Sequence, residues 1–184
     1  MSDSVIGRLV RVGGERELLL RALVAEDTPE LLRVHATPGV VRFWGEPEQG
    51  FPFEDEPEQT RLTIVVDGRP AGLIQFWEES HPRYRHATVD LFLDPELHGE
   101  GIGTEALRLL CEHLTRERGH HRLTIDPAAD NVAAIRSYEK AGFERVGVMR
   151  RYEHRGGEDY RDGMLMELVV SQPERLGGNS DRRD

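Results

Sequence analysis

Apolar and polar positions alternate along the chain in a way that predicts short strands interleaved with helices. The strands are predicted from short runs rich in apolar and β-branched residues. These runs are Glu17–Val24, Leu62–Val66, Ala71–Trp77, Ala87–Leu93, Arg122–Asp126, Phe143–Met149 and Gly163–Val170. Asp67-Gly68 separates two of them by a typical hairpin turn. Val5–Val12 alternates in part and is a further candidate, but Gly13-Gly14 ends it quickly, so Glu17–Val24 is taken as the first strand.

Helix signals fill the intervals between these strands. Thr28-Pro29 and Thr37-Pro38 each place a capping residue before a proline, which indicates a helix start. Asn131 is a candidate cap for a later helix that Ala141-Gly142 closes. The helix that opens after Gly103 carries an apolar stripe. The stripe consists of Ala106, Leu107, Leu110, Cys111 and Leu114. The predicted order is β-α-α-β-β-β-α-β-α-β-β, a mixed α/β class.

Charge and composition limit which ligands and which kinds of site the protein can have. The 184 residues include 24 basic and 34 acidic ones, a net charge of −10, which argues against nucleic acid and anionic membranes and favours a cationic ligand. The single cysteine excludes an internal disulfide or a cysteine-based zinc site, and no histidine spacing predicts a metal. We expect one domain over residues 1–171 and a flexible tail over 172–184. No apolar run approaches the ~20 residues of a membrane span, so we expect a cytoplasmic protein. We expect it to be a monomer or a homodimer.

A glycine-rich turn carries the strongest chemical signal. Gly99, Gly101 and Gly103 connect a predicted strand directly to a helix start. Glycines let the backbone approach a ligand closely, and the first helical N–H groups have no partner within the helix. Such a turn favours a phosphate or diphosphate. It lacks the Gly-Lys-Ser/Thr ending of a nucleotide-binding P-loop, and a turn that binds nothing stays possible on this segment alone.

A second segment makes the assignment specific. Asn131, Ala134, Tyr138, Gly142 and Phe143 match the pattern Asn-x-x-Ala-x-x-x-Tyr-x-x-x-Gly-Phe. This pattern resembles the C-terminal motif of the GNAT acetyltransferases, and the glycine turn resembles the acetyl-CoA loop of that family. The two stand in the expected order, and the resemblance covers roughly residues 17 to 170.

This resemblance implies a fold and a cosubstrate. The fold is a twisted, mainly antiparallel sheet flanked by helices, with a V-shaped splay between the strands that end near Leu93 and Asp126. The cosubstrate is acetyl-CoA. Its expected contacts are Leu91, Phe92, Leu93, His98, Gly99, Glu100, Gly101, Gly103, Thr104, Asn131, Ala134, Tyr138 and Lys140. His98 stands where the family usually has Gln or Arg, which predicts a weaker contact there.

Within the family, several segments are similar to those of aminoglycoside 6′-N-acetyltransferases. They are Val41–Glu46, Pro70–Gly72 with Gln75, Asp126-Pro127, Asn131, Ala134–Arg136 and Tyr138–Arg145. That similarity implies direct acetyl transfer to an aminoglycoside amine in a ternary complex. The expected substrate contacts are Trp44, Gln75, Trp77, Glu78, Asp90 and Asp126. Asp90 and Tyr138 are the expected catalytic residues, with Tyr138 protonating or hydrogen-bonding the departing sulfur.

Each of these residues also has a purely structural interpretation. Asp90 is equally consistent with an outward-facing strand position, and Asp126 with a turn before a proline. Tyr138 and Trp77 fit core packing, and Asn131 fits a helix cap. The acidic segment 46–58 fits either a solvated loop or the wall of a cleft that binds polycations. Cys111 fits an inert core thiol.

Two further functions remain open. One is a GNAT enzyme acting on another amine, such as a protein N-terminus, a siderophore lysine or a polyamine. The other is a module that binds acyl-CoA without catalysis. The sequence leaves open whether a carboxylate or a water relay removes the proton of the amine.

Overall fold

The structure, a computed structural model, describes residues 10–12, 16–53 and 58–170. Its strands are β1 (Val10–Val12), β2 (Arg16–Ala22), β3 (Thr60–Val66), β4 (Arg69–Glu79), β5 (His86–Leu93), β6 (Arg122–Ile125), β7 (Glu144–Gly156) and β8 (Asp159–Val169). Its helices are α1 (Thr28–His35), α2 (Pro38–Trp44), α3 (Ile102–Glu112) and α4 (Val132–Ala141). Both N-terminal runs are strands where they are described, so two strands rather than one precede α1.

The strands form one twisted sheet in the order β1-β2-β3-β4-β5-β6-β8-β7. All neighbours are antiparallel except β5 and β6, which run parallel. The predicted mixed α/β class and mainly antiparallel sheet are confirmed. The C-terminal hairpin is longer than predicted, because β7 continues seven residues past Met149 and β8 begins four residues before Gly163.

Two cores cover the two faces of the sheet. The stripe of α3 packs with Tyr138 of α4 against one face. On the other face, α1 and α2 bury a smaller cluster that includes Leu31, Val34, Leu73 and Phe92. Alternation along β4 and β5 therefore decides which of the two helical layers each side chain meets.

An ion pair buried beneath α1 fixes the start of that helix. Asp27 is 2% exposed and accepts hydrogen bonds from Arg21 Nη1 (2.6 Å) and Thr63 Oγ1 (2.6 Å). Burial raises the pKa of its carboxyl, but these hydrogen bonds lower it more, so the net pKa lies below its ordinary value. The network ties β2, β3 and α1 together.

The predicted tail 172–184 and the predicted strand residues 5–9 lie outside the described residues. Within the ranges that the structure describes, no helix is both long and apolar enough to cross a membrane.

Candidate active site

The sheet opens between β5 and β6. These strands pair only at Ala87↔Leu123 and Thr88↔Thr124, and the two threonine hydroxyls are 2.9 Å apart. Asp90 of β5 lies two residues beyond Thr88, and Asp126 lies two residues beyond Thr124 of β6. Because the side-chain period of a strand is two, Asp90 projects on the same face as Thr88, and Asp126 continues from Thr124 just past the end of β6. The sheet thus directs two carboxylates into the opening.

The glycine turn lies at the other end of the opening. Gly99 and Gly101 both have a φ of 84°, a left-handed conformation that glycine adopts without strain. The first backbone hydrogen bond of α3 runs from Glu105 N to Gly101 O, at 3.0 Å. The amides of residues 102–104 precede it and lie at the positive end of the helix dipole, so they suit an anion.

Side chains hold this turn in place. Glu100 accepts a hydrogen bond from Arg16 Nε (2.9 Å), and Arg16 also donates to Asp67 through Nη1 (2.9 Å). His98 donates from Nε2 to the carbonyl oxygen of Leu93, at 3.1 Å. The carboxylate of Glu100 is therefore neutralised by β2, and His98 links the turn to the end of β5.

The glycine turn, the opening between β5 and β6, and the carboxylates of Asp90 and Asp126 line one cleft of about 1300 Å³. It contains every predicted acetyl-CoA contact and four of the six predicted substrate contacts. The latter four are Trp44, Gln75, Asp90 and Asp126.

Helix α4 brings Tyr138 to the floor of the cleft. Tyr138 is 7% exposed, and burial, with a smaller contribution from the charges of Asp90 and Asp126, raises the pKa of its hydroxyl well above its ordinary value. The hydroxyl therefore stays protonated at neutral pH and is available as a donor. Asn131 caps the same helix by accepting from Ala134 N at 3.1 Å.

The predicted substrate side is a mixed polar and aromatic wall. Gln75 stands opposite Asp90 on the neighbouring strand and accepts from Arg61 Nε at 2.8 Å. Trp44 meets Phe92 edge to face, with ring centroids 5.0 Å apart. An aromatic ring beside carboxylates suits a cation.

The structure does not bring Trp77 and Glu78 to the cleft. Trp77 lies two residues beyond Gln75 along β4 and packs edge to face against His86, with centroids 6.1 Å apart. Glu78 projects to the opposite face of the sheet by alternation, where it binds Arg118 and His120. Neither residue lines the cleft that holds the other four predicted substrate contacts.

Several cleft residues were not predicted from the sequence. Arg11, Arg108 and Arg136 line it together with Lys140. Two of these side chains are paired with carboxylates, Arg11 with Glu17 and Arg108 with Glu105. Tyr152 and Glu153 line the part near Asp126. The basic residues carry no motif, and Tyr152 falls in a polar segment of β7 without apolar alternation.

Other candidate groups lie elsewhere. Within the acidic segment, Glu46, Glu48 and Glu58 are exposed and do not line the cleft, while residues 54–57 are outside the described ranges. Cys111 is buried, and burial raises the pKa of its thiol to about 12, which suits a core role. Among the described residues no group of three His, Cys, Asp or Glu side chains is placed to hold a metal ion.

Comparison with known proteins gives a family. The sequence profile of the acetyltransferase (GNAT) family matches residues 21–143. The chain is 28% identical over 151 residues to the aminoglycoside N(6′)-acetyltransferase type 1 of Klebsiella pneumoniae, covering 71% of this chain and 75% of the relative. It is 27% identical over 163 residues to the spermidine N(1)-acetyltransferase of Escherichia coli K12, covering 83% and 86%.

Solved structures agree with the fold. The aminoglycoside acetyltransferase AAC(6′)-Ib in complex with coenzyme A superposes with a TM-score of 0.68 at 26% identity, covering 83% of this chain and 94% of the other. RimJ of Mycobacterium smegmatis gives a TM-score of 0.71 at 20% identity, covering 84% and 82%, which supports the fold alone. A family match over well more than half of the chain, on this splayed sheet, shows that the chain belongs to the GNAT family and is an N-acetyltransferase with acetyl-CoA as its cosubstrate.

Proposed function

We propose that the chain acetylates the 6′-amine of an aminoglycoside by direct transfer within a ternary complex. The observation that carries this proposal is the pair Asp90 and Asp126, which the splay directs into one cleft beside the buried hydroxyl of Tyr138. The cleft joins an anion-binding end to an acidic, aromatic end, as a reaction between an anionic thioester and a cationic amine requires.

At the anion-binding end, the amides of residues 102–104 suit the diphosphate of acetyl-CoA. Arg11, Arg108, Arg136 and Lys140 add positive charge nearby, where the 3′-phosphate of the cosubstrate is expected. The strand backbone of Leu91–Leu93, beyond the last pair with β6, suits the amide groups of the pantetheine arm. We place the reaction in the cytoplasm, where acetyl-CoA is available.

At the acidic end, the carboxylates have two tasks. An alkylamine has a pKa near ~10 by analogy with lysine, so it arrives as a cation and must lose a proton before it attacks. Asp90 and Asp126 bind the ammonium, and Asp90, which faces Gln75 across the strands, receives its proton directly or through water. The neutral amine then forms the new C–N bond with the thioester carbonyl carbon.

Tyr138 completes the transfer. As the C–S bond breaks, the sulfur gains negative charge and needs a proton or a hydrogen bond. The raised pKa of the Tyr138 hydroxyl keeps it protonated, so it donates to the sulfur without competing as a base. Acetyl-CoA supplies the acetyl group and leaves as coenzyme A.

Polyamine acetylation is the second candidate, because the spermidine acetyltransferase of Escherichia coli matches more of this chain than the Klebsiella enzyme does. The half-buried ring of Trp44 at the cleft favours the aminoglycoside, since a ring of sugar or cyclitol offers a face for stacking that a flexible polyamine lacks. The finer segment similarity noted in the sequence points the same way.

The test is a matched substrate pair. Neomycin and paromomycin differ at the 6′ position, which carries an amine in the former and a hydroxyl in the latter. With purified protein and acetyl-CoA, we expect thiol release with neomycin and at least a hundredfold less with paromomycin. A mass increase of one acetyl group, located by NMR at the 6′ nitrogen, establishes the regiochemistry. Equal rates with the two drugs, or faster turnover of spermidine, contradict the assignment.

Variants separate catalysis from mere binding. Asp90→Asn is expected to lower kcat/KM for neomycin about a hundredfold or more, the range for loss of a general base. Glu158→Gln, which removes an exposed carboxylate at the tip of the β7–β8 hairpin, is the matched control and should leave turnover unchanged. A protein that binds coenzyme A but acetylates no amine in the panel would instead be an acyl-CoA-binding module.

A further inference from the structure

The β7–β8 hairpin delivers one aromatic side chain into the acidic end of the cleft. The register of the two strands shifts between Met149 and Glu153, so the intervening residues form a bulge. Arg151 has a φ of 52°, and its amide donates to Asp162 Oδ1 at 2.7 Å, which fixes that bulge. Bulges redirect side chains, and this one directs Tyr152 into the cleft.

A glycine on the facing strand makes room for the tyrosine ring. A Cβ on Gly163 would stand 2.8 Å from Tyr152 Cδ1 and 3.1 Å from Met149 Cε. The ring therefore lies directly on the backbone of Gly163, closer than any larger residue permits. That backbone also bridges to Ala128, two residues after Asp126.

Tyr152 and Asp126 both line the cleft. A side-chain hydrogen bond to Asp126, together with burial and the charges of both aspartates, raises the pKa of the Tyr152 hydroxyl to about 12. The hydroxyl is thus protonated at neutral pH and is a donor for the Asp126 carboxylate. A donor on one side of a carboxylate leaves its remaining lone pairs for other partners.

The hairpin that carries Tyr152 is anchored to the opposite wall. Arg161 of β8 donates to the carbonyl oxygens of Arg42 (2.8 Å) and Phe43 (3.0 Å), at the C-terminal end of α2. It also pairs with Glu153, the residue after Tyr152. Arg161 thereby ties the tyrosine side of the cleft to the end of the helix that carries Trp44.

We infer that Tyr152 is a positioning residue of the amine site, which orients Asp126 so that its free oxygen faces the incoming ammonium. The inference rests on the proposed function, since it assigns Asp126 to the amine. A side chain that acts this way affects recognition of the amine and leaves binding of acetyl-CoA and the chemical step at Tyr138 largely unchanged.

The first test is Tyr152→Phe, which removes the hydroxyl and keeps the ring on Gly163. Because the hydrogen bond is to a charged group, we expect KM for the amine to rise about tenfold, with kcat within twofold and KM for acetyl-CoA unchanged. Tyr160→Phe is the matched control, since Tyr160 lies on the same hairpin and is exposed to a similar degree (41%, against 54% for Tyr152) but does not line the cleft. It should behave as the wild type.

A double-mutant cycle on binding decides whether Tyr152 acts through Asp126. Calorimetry measures the Kd of neomycin for the complex with coenzyme A in the wild type, Tyr152→Phe, Asp126→Ala and the double variant. In the Asp126→Ala background, we expect Tyr152→Phe to change Kd less than twofold. A full tenfold loss in the Asp126→Ala background, or no loss in Tyr152→Phe alone, overturns the inference. Failure of the wild type to bind any amine would instead refute the proposed function.

Discussion

Replacing Gly72 with alanine should damage the sheet at the place that shapes the acetyl-CoA side of the cleft. Gly72 pairs with Leu93 at the end of β5 and stands opposite an irregularity in β3. An added Cβ would overlap the carbonyl oxygen of Phe92 and lie 2.9 Å from Leu93 Cα. Both are backbone atoms, so a change of rotamer cannot relieve the clash, and β4 and β5 must separate locally.

Overpacking of this kind costs about 1–3 kcal/mol. For a chain of this length each kcal/mol lowers Tm by about 2–4 °C, so about 2 kcal/mol corresponds to a decrease of about 4–8 °C. Because Phe92 and Leu93 line the cleft, their displacement should also raise KM for acetyl-CoA several-fold. Thermal unfolding followed by circular dichroism and steady-state kinetics measure the two effects.

Gly147→Ala is the matched control for this experiment. Gly147 is also a strand glycine, but a Cβ there meets no atom within 4 Å. Alanine has lower conformational entropy than glycine in the unfolded chain, so this variant should be as stable as the wild type or slightly more stable. A Gly72→Ala variant that unfolds at the same temperature as Gly147→Ala would refute the argument from close strand contact.

Three further predictions concern catalysis, the cosubstrate and pH. Tyr138→Phe should lower kcat about a hundredfold while KM for the amine changes little, as single-turnover kinetics would show; an unchanged kcat would exclude Tyr138 as the proton donor. Arg16→Ala leaves Glu100 unneutralised beside the diphosphate site, so KM for acetyl-CoA should rise about threefold at low salt and recover in the double variant with Glu100→Gln; a double variant no better than the single one would contradict this. Asp27→Asn should cost about 3 kcal/mol of unfolding free energy at pH 7 by urea titration. Because the folded pKa of Asp27 is lowered, its contribution is present above the unfolded value near ~3.9 and is lost as pH falls below it. A difference from the wild type that stays constant down to pH 3 would contradict that linkage.

Local signals in the sequence were sufficient for most elements and for the glycine turn at one end of the cleft. The glycine turn, the Asn131 cap and the apolar stripe of α3 each act within a few residues, so spacing alone predicts them. The Asp67-Gly68 turn gave its hairpin for the same reason.

The amine end depends on contacts between distant segments, and there the sequence was less informative. No local pattern gives the register of β5 against β6, which sets Asp90 across from Asp126. The sequence does not show which face Glu78 occupies, because that depends on the alternation of β4 within the assembled sheet, where Glu78 pairs with Arg118. Tyr152 was missed because its segment of β7 is polar and is held in the sheet by pairing with β8 rather than by an apolar face.

The short parallel seam at Ala87–Thr88 has a consequence for how this enzyme responds to its ligands. Only two residue pairs join β5 to β6. With acetyl-CoA along the unpaired edge of β5, as proposed above, we expect the cosubstrate to act as an added strand between the two halves of the sheet. Amide hydrogen exchange near the ends of β5 and β6 should therefore slow when coenzyme A is added, and the N-terminal and C-terminal halves should unfold more cooperatively. We therefore expect the cosubstrate to stabilise the sheet as well as to donate the acetyl group.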